Sequence, residues 1–177
     1  MNLANKITIS RIFLVPLFLF FLLVKIPYGN WIATIIFIIA ALTDSLDGYI
    51  ARNRNQITKF GKFLDPLADK LIVTAALVAL VERQIIPSWL VVIILAREFA
   101  ITGLRAVAAS EGNVIAASNW GKLKTVTQII AIIAALIELK YKEFNIYIYL
   151  MYIATIITII SGIDYIKKNR KFINSKE

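Results

Sequence analysis

Six apolar runs separated by short polar breaks organise the chain: 7–24, 31–46, 63–81, 85–109, 123–139 and 144–166. A helix that crosses a bilayer needs about 20 residues, and the runs are close to that length. The pattern predicts an all-α integral membrane protein, with six transmembrane helices filling residues 1–177 as a single domain. No room is left for a soluble domain or a long linker. Pro16 predicts a kink in the first helix. The first run contains Arg11 and no small-residue cleavage site follows it, so it does not read as a signal peptide. Polar residues interrupt the pattern at few places. Asp44 and Asp47 end the second run, Asp65 and Asp69 open the third, and Arg97 with Glu98 sits inside the fourth.

Composition sharpens this picture. The chain is 59% hydrophobic, with a mean hydropathy of +0.76, well above a soluble domain. It has no cysteine and no histidine. That excludes disulfides, a thiolate nucleophile and thiolate or imidazole metal ligands. A metal here must sit on oxygen, which points to a hard cation such as magnesium or manganese. The net charge is +9, and its distribution carries a topology. With six spans the termini share a side, and sixteen of the twenty basic residues fall there. Only Lys25, Arg83, Lys140 and Lys142 fall on the other. This bias predicts that both termini and the aspartate segment are cytoplasmic. Tyr28, Trp31, Trp89, Tyr141 and Tyr147 are placed as an aromatic belt at the outer ends. Because the basic residues are divided among helix ends, they do not form a nucleic-acid surface; they favour anionic lipid.

The aspartates are the chemical signal. Four of the five, Asp44, Asp47, Asp65 and Asp69, lie within 26 positions. Asp44 and Asp47 are three apart on a helix, and Gly61, Asp65 and Asp69 are spaced by four on the next, with Arg52 to Lys62 as the turn between. A hairpin of these helices brings four carboxylates together, which is costly without cations. Two divalent ions bridged by them suit phosphoryl transfer. Solvation at a helix end explains one such aspartate; it does not explain four in the string D-x2-D-G-x2-A-R-x8-G-x3-D-x3-D. That string, read here as Asp44, Asp47, Gly48, Ala51, Arg52, Gly61, Asp65 and Asp69, resembles the signature of the CDP-alcohol phosphotransferases without a departure. The resemblance implies a membrane enzyme, usually a homodimer, with two divalent cations, Mg2+ or Mn2+, on the aspartates. It also implies a general base at Asp69, and transfer of a phosphatidyl or related group from a CDP-linked donor to an alcohol with release of CMP.

Further segments resemble one branch of that family, the bacterial phosphatidylglycerophosphate synthases. They are "NLANKITISR" (with Ala4 where proline is usual), "AREFAITGLR", "GKLKT" and "SGIDY" (with Asp164 where glutamate is usual). This implies CDP-diacylglycerol as donor, sn-glycerol 3-phosphate as acceptor and a bacterial plasma membrane location. Gly48, Ala51, Arg52, Gly61, Asn5 and Thr8 are the candidate donor contacts, with Arg11 beside them. On the fourth helix Glu98, Thr102 and Arg105 share a face, and Lys122 and Lys124 start the fifth at the same end. Arg105, Lys122 and Lys124 are therefore the candidate acceptor-phosphate ligands. Positive-inside anchoring is the plain alternative for the lysines. A salt bridge to Glu98 is the alternative for Arg105, and a structural pair for Arg97 with Glu98. Other readings are a CMP-forming cardiolipin synthase, a phosphatidylserine or phosphatidylinositol-phosphate synthase, an intramembrane prenyltransferase and a small cation transporter. The prenyltransferases need more helices than six. A transporter needs polar residues leading to the outer face, and the outer halves of these runs have almost none.

Overall fold

The computed structural model describes residues 3–53, 59–110 and 118–170, with side chains described for 9–43, 70–110 and 118–170. Over these residues the chain forms six α-helices: α1 (Leu3–Leu23), α2 (Gly29–Asn53), α3 (Lys59–Glu82), α4 (Ser88–Ser110), α5 (Asn119–Leu136) and α6 (Ile146–Lys168). Each matches one apolar run. The helices extend further than hydrophobicity alone marks, because a helix continues through polar residues once its end reaches water. One correction follows: Arg52 belongs to α2, and Lys59 to Lys62 belong to α3, so the connection is shorter than the predicted turn from Arg52 to Lys62. α1 runs through Pro16 as one helix.

By length and composition α6 qualifies as a membrane-crossing helix; the apolar stretches Ile9–Leu23 in α1 and Gly29–Thr43 in α2 are shorter. In α4 and α5 charged residues lie within the helix and lower its mean hydropathy. The surface is unusually greasy. Phe13, Ile35, Leu42, Val92, Phe99 and Ile156 are all more than half exposed, while Arg11, Lys124, Gln128, Thr158 and Ser161 are buried. The buried threonines return their hydroxyls to the helix: Thr155 Oγ1 donates to the Met151 carbonyl at 2.8 Å and Thr158 Oγ1 to Ala154 at 2.7 Å. Thr158 also accepts from Gln128 Nε2 at 3.0 Å, so these three side chains enter the core with hydrogen bonds already made.

α1 packs on α2 and α3, α6 packs on α4 and α5, and α2 and α3 both reach α5. The shared core holds Phe18 against Phe37, with ring centroids 6.2 Å apart, and Leu77, Leu80, Leu90, Ile94, Ile132 and Leu136. At one end of the bundle the connections are short and tightly fastened. Tyr28, Gln84, Glu138 and Lys142 take positive φ there. Arg83, just past α3, donates to Asn30 Oδ1 of α2 at 2.7 Å and meets Glu138, just past α5, at 3.3 Å. Tyr28, Trp31, Trp89 and Tyr141 are exposed near this end, whereas Tyr147 is buried. Tyr147 is therefore a core residue and not part of an aromatic belt: it lies on the face that α6 turns into the bundle.

Gly29 opens α2 against the end of α1, and a Cβ there would lie 2.5 Å from the Phe21 carbonyl oxygen. A backbone oxygen cannot swing away as a side chain can. Gly29→Ala should therefore destabilise the folded protein by about 1–3 kcal/mol, read as an earlier thermal unfolding transition in detergent. An unchanged transition would mean that the α1–α2 corner is not this closely packed.

Candidate active site

At the other end of the bundle all six helices contribute to a cavity of about 350 Å³, a size that suits a small ligand. Its position along each helix follows from the sequence. From α2 come Ala40 and Ala41, one turn before Asp44, and from α3 come Lys70, next to Asp69, with Ile72, Val73 and Thr74. The described lining thus adjoins the aspartate string on both helices. The side chains of Asp44, Asp47, Asp65 and Asp69, and of Gly48, Ala51, Arg52, Gly61, Asn5 and Thr8, lie outside the described residues. Their helices are described: Asp44 and Asp47 occupy α2, Asp65 and Asp69 occupy α3, and the two helices pack together.

The remaining walls are cationic. α1 supplies Arg11, 2% exposed; α4 supplies Arg97 and Arg105; α5 supplies Lys122 and Lys124. With Lys70 these make six positive side chains, against Glu98 as the carboxylate among the described lining residues. The helical register explains the gathering. Glu98, Thr102 and Arg105 lie at i, i+4 and i+7 on α4, as do Gly121, Thr125 and Gln128 on α5, and both rows line the cavity. Ser118 caps α5, its Oγ accepting from the Gly121 N–H at 3.1 Å, which holds Lys122 and Lys124 in register.

Glu98 links the walls. Its carboxylate accepts from Lys124 Nζ and lies 3.5 Å from Arg97 Nη1. Arg97 Nη2 in turn donates to Ser161 Oγ of α6 at 2.7 Å. One carboxylate therefore ties α4 to α5 and, through Arg97, to α6. Glu98 is engaged by Lys124 and Arg97, so the expected pair of Arg97 with Glu98 is present within a larger network. Arg105, Lys122 and Lys124 all line the cavity, as the acceptor reading expects. Lys124 is buried there at 6% exposure and Lys122 and Arg105 stand at its more open part. Sequence reasoning passed over Lys70, Gln128 and Tyr165 as lining residues. Tyr165 was visible only as part of "SGIDY"; Lys70 had a signal in its place beside Asp69. The fifth aspartate, Asp164, pairs with Lys168 at 2.9 Å along the surface of α6 and does not line the cavity.

A cationic cavity next to a carboxylate string is what a phosphorylated substrate and a metal-bound pyrophosphate require. The family comparison agrees: residues 1–160 match the model of the CDP-alcohol phosphatidyltransferases. The chain belongs to this family. Among its similar relatives is the CDP-diacylglycerol–glycerol-3-phosphate 3-phosphatidyltransferase of Bacillus subtilis, 45% identical with 95% of each chain covered. The enzyme of that name from Haemophilus influenzae is 43% identical over 94% of this chain and 92% of its own. A probable phosphatidylglycerophosphate synthase of Mycobacterium tuberculosis is 38% identical, covering 94% of this chain and 81% of the relative. The aspartates of the string carry oxygen atoms as their only donors, and they sit two on each of two packed helices. That donor set fits hard divalent cations.

The Glu98 network generates a stability prediction. Removing one partner of a buried ion pair leaves the other charge uncompensated, at a cost of about 3–5 kcal/mol. Glu98→Ala should approach the lower end of that range, since the cavity admits water, and Glu98→Ala with Lys124→Met should recover most of the loss. Denaturation of the two single variants and the double variant measures the coupling. Strictly additive losses would show that the pair contributes no coupling.

Proposed function

We propose that this chain transfers the phosphatidyl group of CDP-diacylglycerol to sn-glycerol 3-phosphate, giving phosphatidylglycerophosphate and CMP, at the cytoplasmic face of a bacterial plasma membrane. The observation that carries the reading is the cavity with six cations and one described carboxylate, lined by the turns next to Asp44 and Asp69. The names of the relatives support the same donor and acceptor. The exposed apolar helix faces suit lipid, with the donor's acyl chains beside them and its headgroup at the aspartate end.

Arg105, Lys122 and Lys124 hold the phosphate of glycerol 3-phosphate by charge-assisted hydrogen bonds. This fixes the acceptor's hydroxyl toward the aspartates and removes much of the entropic cost of the encounter. Asp69 takes the proton of that hydroxyl as its oxygen attacks the phosphorus bearing diacylglycerol. The bond from that phosphorus to the oxygen of CMP breaks. Asp44, Asp47, Asp65 and Asp69 would hold two divalent cations, Mg2+ or Mn2+. When bound, these supply positive charge for the pyrophosphate and the leaving oxygen. Arg52 contacts the donor phosphates, while Gly48, Ala51 and Gly61 let the donor approach the backbone. Asn5 and Thr8 reach the nucleotide from α1. The active form is a homodimer. The transporter reading is disfavoured by the largely apolar core of the described residues, where Phe18, Phe37, Leu80, Leu90 and Leu136 are fully buried.

The test is CMP release by purified protein given CDP-diacylglycerol and a panel of acceptors. Glycerol 3-phosphate should be used in preference to phosphatidylglycerol, serine, inositol phosphate and glycerol. Release should stop in chelator and in Asp65→Asn or Asp69→Asn. Arg105→Ala should raise the KM for glycerol 3-phosphate roughly tenfold or more and leave that for CDP-diacylglycerol nearly unchanged. Preference for another acceptor would refute the named reaction; full release in chelator would refute the metal assignment.

Topology is tested separately, in a chain with no native cysteine. Single cysteines near Arg83 and Lys142 should react with an impermeant thiol reagent in intact cells. Those near Lys59 and Lys171 should react only after permeabilisation. The opposite pattern would place the aspartates outside the cell.

A further inference from the structure

Among the described residues, the buried polar atoms of the cavity wall that lack a hydrogen-bond partner include the Tyr165 hydroxyl and Arg97 Nε. Tyr165 is 3% exposed. The two residues stand on packed helices, α4 and α6, in the wall of one cavity. Arg97 is already anchored through Nη2 to Ser161, one turn before Tyr165, and a Cβ on Gly162 would come within 3.2 Å of Arg97 Cγ. The helices are thus closely apposed here, and both polar atoms are buried between them. Natural proteins leave few buried donors unpaired, and each calls for an explanation. Nε–H can only donate, and a phenol hydroxyl readily donates to an anion. A single anionic oxygen entering the cavity would serve both.

We propose that Tyr165 and Arg97 form the floor of the acceptor's phosphate site and select a phosphomonoester over a phosphodiester. The inference rests on the acceptor reading of Arg105, Lys122 and Lys124. Its chemistry is geometric. A monoester ends in three terminal oxygens, so one can reach the floor while the others meet Lys124 and Arg105. A diester has only two free oxygens and a carbon substituent on each remaining side, so it cannot enter end-on. The floor donors then stay unpaired, and an unpaired buried donor is what makes a site reject an analogue. A lipid phosphodiester headgroup is excluded by the same device.

Tyr165→Phe removes one oxygen and leaves the ring in place. With magnesium and detergent, inorganic phosphate should raise the melting temperature of the parent, and Tyr165→Phe should need a roughly tenfold or more higher phosphate concentration for the same rise. Dimethyl phosphate should stabilise neither protein. In turnover the KM for glycerol 3-phosphate should rise by a similar factor, with that for CDP-diacylglycerol unchanged. Equal phosphate midpoints, or equal stabilisation by dimethyl phosphate, would overturn the proposal. So would a Tyr165→Phe protein that melts earlier without phosphate and loses turnover without any change in KM. A parent that shows the Tyr165-dependent phosphate effect but uses another acceptor would instead overturn the reaction and keep the floor.

Discussion

A charge buried in an apolar bundle has to find its counter-charge inside that bundle, and Glu98 is where this protein arranges it. The carboxylate of Glu98 engages Lys124 of α5 and Arg97 of its own helix, and Arg97 passes the link to Ser161 of α6. Neither cation would be tolerable at its depth alone. Together they bind three helices at the level where the cavity forms. Among the described lining residues Glu98 is one carboxylate beside six cations, a lining that suits an anionic ligand. The next turns of α2 and α3 carry the four aspartates of the string. The two together suit a reaction in which an anionic acceptor meets a metal-bound pyrophosphate.

The six helices were legible because hydrophobic runs are a long-range signal that local sequence carries almost completely. Their polar ends were less so. Hydropathy stops at Leu46 and starts again at Phe63, yet helix continues to Asn53 and from Lys59, since backbone hydrogen bonding does not depend on side-chain polarity. The rows Glu98–Thr102–Arg105 and Lys122–Lys124 were legible as helix faces. Their convergence was not, because helix rotation is set by packing. Tyr147 shows the same limit: an aromatic near a helix end suits either an interface or a core, and its neighbours decide. Tyr165 and Arg97 Nε were the least legible, because an unpartnered atom is a property of the assembled walls and of no single segment.

The end of the bundle around Arg83 is held by contacts of its own. It is fastened by short connections, positive-φ residues, the tight contact at Gly29 and the Arg83 bonds to Asn30 and Glu138. Those contacts set where each helix starts and how it is rotated. A helix rises 1.5 Å and turns about 100° per residue, so a fixed start also fixes which side chains face the axis several turns later. Between the ends lies an apolar core of Phe, Leu and Ile that transmits this register. The reactive end can then carry charges that repel or strain one another, since it does not have to hold the helices together by itself. A charged cavity in an apolar bundle therefore draws its helix register from packing that it does not itself supply.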